Sequence, residues 1–149
     1  MNNALMLSQN VEDIYCSIQP KTTQEKKTLY NALETCDNLV NDCVGAKFGL
    51  KDVYVEKRVC EYDEELETPE VDENGVVRET GKVKKTKYRT ILFAEDGTTY
   101  ATGSYGIFNS VSKIISAFGE PSTWDAPIMV EIAKRPIGDG KTTLTLKLI

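Results

Sequence analysis

Apolar and polar positions along the chain follow two periods, and the switches between them mark its elements. Val11 to Gln19 alternates, with Ile14, Cys16 and Ile18 on one side, and Pro20 ends the run, which predicts a first strand. Thr22-Thr23-Gln24-Glu25 has the form of a capping box. Leu29, Tyr30, Leu33 and Cys36 follow at helical spacing and predict a helix of about 12–14 residues. Leu39, Val40 and Val44 form a short turn that Gly45 stops. From Phe48 to Tyr62 the period becomes two. Val53, Val55, Lys57 and Val59 stand against Tyr54, Glu56, Arg58, Cys60 and Tyr62, which predicts a long, bent strand. Lys85 to Ala94 reads as a strand, Glu95-Asp96-Gly97 as a hairpin turn, and Thr98 to Thr102 as the returning strand. Between Ser104 and Phe118 the residues Ile107, Phe108, Val111, Ile114, Ile115 and Phe118 make an amphipathic helical stripe, ended by Gly119 with Pro121 beyond. Pro127 to Lys134 and Lys141 to Ile149 read as two last strands around the turn Pro136 to Gly140.

These elements describe a mainly β protein with two helices and five or six strands, mostly hairpin-linked and therefore antiparallel. Closing such a sheet into a small barrel hides its edges. The length of 149 residues fits one domain, 11–149, preceded by a loose polar arm at 1–10. No apolar run approaches the ~18 residues of a membrane span, and the N-terminus lacks the basic region of an ordinary signal peptide. No membrane association is expected.

Candidate chemistry is thin. The chain has no histidine, which excludes Ser-His-Asp and Cys-His nucleophiles and His-ligated zinc. Cys16, Cys36, Cys43 and Cys60 are widely spaced, without a Cys-x-x-Cys pair, and read as free thiols packed as small hydrophobes. Gly138-Asp139-Gly140-Lys141-Thr142 resembles part of a phosphate loop but lies between strands, as a β-turn. Carboxylate pairs abound only where nothing fixes their geometry. An enzyme is not expected, and neither is a metal.

Charge changes the picture. The net charge is −5, yet Glu61 to Glu79 holds nine acids against Arg78 alone, a net of −8 that leaves +3 for the remainder. The stretch 61–81 contains Pro69, Asn74-Gly75 and Gly81 and reads as a mobile acidic loop. Directly after it, Lys82-Val83-Lys84-Lys85-Thr86-Lys87-Tyr88-Arg89 has five bases and no acid. A single nucleic-acid strand is held by cations along a groove and by aromatic faces on which bases stack. Tyr54, Lys57, Arg58 and Tyr62 on the long strand interleave these residue types, as do Lys85, Lys87, Tyr88 and Arg89 on the next. Tyr100 and Tyr105 flank the return strand, and Trp124 is either a stacking platform or a lid on the core. Neither predicted helix is basic enough for a major groove. The competing reading is a non-catalytic β-barrel protein-interaction module working through its acidic loop.

A family pattern accompanies these residues. Tyr88-Arg89-Thr90-Ile91-Leu92-Phe93, Asp96-Gly97, Tyr100-Ala101-Thr102, Gly106-Ile107-Phe108-Asn109-Ser110, then Phe118-Gly119-Glu120-Pro121 and Trp124, run in that order. From about Val53 to Leu148 the sequence resembles single-stranded DNA-binding proteins of bacteriophages that infect Gram-positive bacteria. The resemblance implies an OB-fold-like barrel and sequence-independent binding of single-stranded DNA in phage DNA replication or recombination. It also implies the cytoplasm of the infected host and no cofactor, with replication or recombination proteins as possible partners. Its binding strands correspond to Lys57 to Tyr62 and Lys85 to Arg89. An acidic C-terminal tail of the kind many such proteins carry is not found here; the acidic segment is internal, and the oligomeric state stays open.

Overall fold

The computed structural model describes residues 13–149, so the expected N-terminal arm lies outside the described residues; side chains are described except at 60–67, 70, 78–80 and 82–84. Seven strands and two α-helices follow in chain order: β1 (Asp13–Cys16), α1 (Thr23–Glu34), β2 (Asn38–Leu39), β3 (Lys47–Val71), β4 (Val77–Ala94), β5 (Thr99–Thr102), α2 (Tyr105–Phe118), β6 (Ile128–Gly138) and β7 (Lys141–Leu148). The strands form one sheet in the order β2-β5-β4-β3-β6-β7, with β1 also on β3. It curls into an OB-like half-barrel.

The terminal signals hold where they were expected. The Thr22 side chain accepts the Glu25 backbone N–H at 3.1 Å and caps α1. Gly119, at φ 86°, ends α2. Gly97, at φ 92°, makes the turn between β4 and β5 together with Asp96, whose carboxylate accepts the Thr98 N–H. That hydrogen bond holds the Asp96 carboxyl below its usual range.

Three expectations are corrected. The strand count is seven rather than five or six, because Asn38–Leu39 pairs in parallel with Tyr100 and Ala101, and two residues are too few to show a period. The sheet is accordingly mixed. Its barrel is open, with β2 and β7 as the ends of the strand order. Finally, 61–81 is not a loop but the outer part of a long β3–β4 ribbon. The register sets Glu61 opposite Lys84, Asp63 opposite Lys82 and Glu70 opposite Arg78. Opposite charges at directly opposed positions of a ladder favour its pairing.

Two apolar cores lie on opposite faces of β3–β4. The larger one gathers Val53, Val55 and Leu92 with Ile107, Val111 and Ile114 of α2 and with the curled strands β6–β7. The smaller gathers Tyr54 and Ile91 with Leu29 and Leu33 of α1 and with Ile14 and Cys16 of β1. Burial pushes the Cys16 and Cys36 thiols up, as expected of packed rather than reactive cysteines. Among the described residues no helix is long and apolar enough to cross a membrane.

Candidate nucleic-acid interface

Successive side chains of a strand point to opposite faces, so the ladder sorts the candidate residues before any contact is considered. Lys57 pairs in register with Tyr88, and Val55 with Thr90, on the face of the larger core. Arg58 pairs with Lys87 and Glu56 with Arg89, on the face of the smaller core. The interleaving of cations and aromatics read along the sequence is therefore split through the sheet. Rings gather mainly on one side and most of the cations on the other.

On the ring side, Tyr88 stacks on Phe108 of α2 with ring centroids 4.0 Å apart and planes 21° apart. Tyr105, in the first turn of the same helix, leans against both, 5.7 Å from Tyr88 and 5.6 Å from Phe108. Tyr105 is 61% exposed, so the cluster ends in an open phenol face. Below it is a groove of about 430 Å³ lined by Tyr15, Lys57, Tyr88 and Phe108. The Tyr15 hydroxyl donates to the Glu120 carboxylate, tying β1 to the segment after α2. Burial, then that bond, holds the Tyr15 phenol well above its usual range, so the ring stays neutral. Lys57 is exposed at the edge of the groove.

On the cation side, a second groove of about 540 Å³ runs between the end of α1 and β4, with Arg58, Lys87 and Arg89 along it. Glu56 sits at its centre. Its carboxylate accepts from the Tyr54 hydroxyl at 2.6 Å and from Arg58 at 3.4 Å, and lies 3.9 Å from the Arg89 guanidinium. Arg89 also donates to the Leu33 carbonyl at 2.6 Å, which joins β4 to α1. Arg58 keeps its Nε shielded from solvent and without a hydrogen-bond partner among the described residues. Lys87 is exposed and makes no ion pair among the described residues, and Lys85 is exposed one ladder step further out.

Four candidates depart from the expected surface role. Tyr54 is 2% exposed, its ring inside the smaller core and its hydroxyl on Glu56, so no face is left for a base. Arg89 is engaged by Leu33 and Glu56 and works as a strut. Tyr100 is half-buried with one face covered by Phe48, at 4.5 Å and 10°. Trp124 packs against the larger core and donates its indole N–H to the Gly119 carbonyl at 2.9 Å; it is the lid, and no ring stacks on it among the described residues. The Tyr62 side chain lies outside the described ones. What remains together is Lys57, Tyr88 and Tyr105 on one face and Arg58, Lys87 and Lys85 on the other.

Phe108, Tyr15 and Glu56 line the two candidate grooves, although the sequence pattern does not single them out. Phe108 is absorbed by the helical stripe. Glu56 is legible as the acid two residues from both Tyr54 and Arg58, hence on their face. Tyr15 is legible as the residue out of phase with Ile14 and Cys16.

No curated protein and no solved structure matches the chain significantly. A family model described as phage single-stranded DNA-binding protein matches residues 8–149, nearly the whole chain. A match of that extent, on an OB-like half-barrel, is enough to say that the chain belongs to the phage single-stranded DNA-binding protein family.

Proposed function

We propose that the chain coats single-stranded DNA without regard to base order, during phage DNA replication or recombination in the host cytoplasm, and that it does so without catalysis or cofactor. The observation that carries the residue assignment is the Tyr105–Tyr88–Phe108 ring cluster beside Lys57. Phe108 backs Tyr88 and fixes its plane, so a base stacking there costs the protein side chain little freedom. Tyr105 supplies a second face. Stacking of this kind is worth ~1–3 kcal/mol per base and accepts every base, because each has a π-face.

Phosphates are assigned to Lys57 on the ring side and to Arg58 and Lys87 on the opposite side. The two sides communicate over the outer edge of β4, which no strand among the described residues joins beyond Thr90, where pairing with β5 stops. A strand crossing that edge reaches rings and cations in turn.

Lys57→Ala, Arg58→Ala and Lys87→Ala combined are expected to lower the slope of log affinity against log salt by about two, at ~0.7 for each phosphate of a single strand that is no longer neutralised. An oligo-dT titration followed by tyrosine and tryptophan fluorescence at several salt concentrations measures it, and an unchanged slope removes these residues from the phosphate-binding set. Arg89→Ala in the same assay is expected to leave the slope alone and to lower the melting temperature instead, because its guanidinium is engaged by the Leu33 carbonyl and the Glu56 carboxylate.

A further inference from the structure

Strand binding at the base of the β3–β4 ribbon leaves the outer part of that ribbon without a role. Among the described residues, pairing of β1 with β3 reaches as far as Lys57 and pairing of β5 with β4 as far as Thr90, and no other strand joins either edge beyond them. At ~3.3 Å per residue, the stretch from Glu61 to Val71 extends roughly 33 Å. The ribbon ends in a built turn rather than a frayed one. Asp72 accepts the backbone N–H groups of Asn74 and Val76, both at 2.9 Å, and its own N–H donates to the Val76 carbonyl at 3.1 Å. This turn presents Val71, Val76 and Val77, exposed by 64%, 59% and 57%, next to the exposed acids Asp72 and Glu73. Three valines held in the open at the end of an acidic stalk make an apolar knob with a negative collar.

A surface of matching chemistry lies elsewhere on the same chain. Between α2 and β6–β7 is a groove of about 410 Å³ with Ile114 and Leu146 in its floor and Phe118 and Leu148 at its rim. Phe118 and Leu148 are 51% and 45% exposed. Lys113 and Arg135 line the same groove, and neither has an ion-pair partner among the described residues.

We infer that the valine tip of one copy seats in the α2–β7 groove of a second copy, apolar knob on apolar floor and acidic collar on Lys113 and Arg135. Tip and groove are different patches of one chain, so the contact is head-to-tail and propagates instead of closing into a symmetric pair. Its area is small, since three valine side chains fall well short of the ~1,200–2,000 Å² of a stable interface. Free chains are therefore held weakly. Copies already aligned on one DNA strand are held at a high effective concentration, where a weak contact suffices. The ribbon tip is thereby the device that makes coating cooperative, an inference that rests on the strand-binding reading above.

The test compares an oligo-dT short enough to hold one copy with a long poly-dT strand, using the full chain. Val71→Asp, Val76→Asp and Val77→Asp together are expected to leave the short oligonucleotide's affinity unchanged. The same variant is expected to weaken coating of the long strand by about 10- to 100-fold and to flatten its binding isotherm. Lys113→Glu with Arg135→Glu, on the other partner surface, is expected to do the same. Adding Glu73→Lys, a change in the collar itself, to that groove variant is expected to restore part of the cooperative coating. If the wild type coats the long strand non-cooperatively, or either variant coats it like the wild type, the inference is overturned. An effect of the valine variant without one of the groove variant overturns it too, since the tip then docks elsewhere. Failure of the wild type to bind the short oligonucleotide overturns the strand-binding reading, and this inference with it.

Discussion

Tyr88→Ala combined with Tyr105→Ala is expected to weaken binding of a short oligo-dT by about 2 kcal/mol or more, roughly 30-fold or greater, with the salt slope kept. In the proposed reading the two rings offer the stacking faces, and they carry no charge, so removing them is expected to take away affinity without changing the number of counterions released. Separating stacking from folding is straightforward here. Tyr105 is largely exposed, so Tyr105→Ala alone tests stacking at little cost in stability. Tyr88 is half-buried against Phe108, and its truncation lowers stability as well as affinity, which a denaturant titration of the free protein quantifies. Tyr88→Phe keeps the ring and is expected to bind like the wild type. A double variant that binds within a factor of two of the wild type removes the ring cluster from the interface.

Gly106→Ala is expected to be the most damaging single methyl in the molecule. A Cβ at Gly106 would lie 2.1 Å from the Leu144 carbonyl oxygen and 2.5 Å from the Thr143 hydroxyl, closer than any real contact. The backbone of β7 has no flexible end to move aside, so α2 itself must shift. Overpacking of this kind costs typically 1–3 kcal/mol and sometimes more; about 3 kcal/mol is expected here, a fall in melting temperature of roughly 6–12 °C. The same helix carries Tyr105 and Phe108, so the variant is expected to lose oligonucleotide affinity along with stability. Thermal melting and a fluorescence titration of the one variant check both. A melting temperature equal to the wild type's would show that α2 does not approach β7 so closely.

How much of the molecule is legible in its sequence follows from the range of each signal. Caps and stripes are local, and Thr22, Gly97, Ser104 and Gly119 mark their elements within a residue or two. The family pattern, carried by the order of short motifs after Val53, is legible as well, and the family model extends it to residue 8. Pairing is not, because a ladder is decided by what lies opposite. The acidic run reads as unfoldable alone and becomes a strand once Lys82, Lys84 and Arg78 face it in register. The site suffers from the same blindness in another form. Residue types clustered along the sequence pool into one apparent surface, although alternation sends Tyr88 and Lys87 to opposite faces. Period two, applied to Tyr54-Glu56-Arg58 as strictly as to the valines, separates them. It does not reveal that Tyr54 is covered, because the smaller core under α1 comes from residues far apart in sequence.

The alternation has a consequence for how such a chain tolerates changes of length. A single residue inserted between Val53 and Lys57, or between Tyr88 and Leu92, would rotate every later side chain of that strand through the sheet, exchanging stacking rings for cations and core valines for solvent. Paired insertions would preserve the faces but displace the strand along its neighbours. The distal ribbon obeys a looser law, for its ladder already slips between Glu65 and Glu70. Extra or missing residues there lengthen or shorten the projection and leave the alternation of the proposed DNA-binding faces intact. Indels among homologues should therefore collect beyond that slip, and the spacing from Tyr54 to Arg58 and from Lys87 to Ile91 should be invariant.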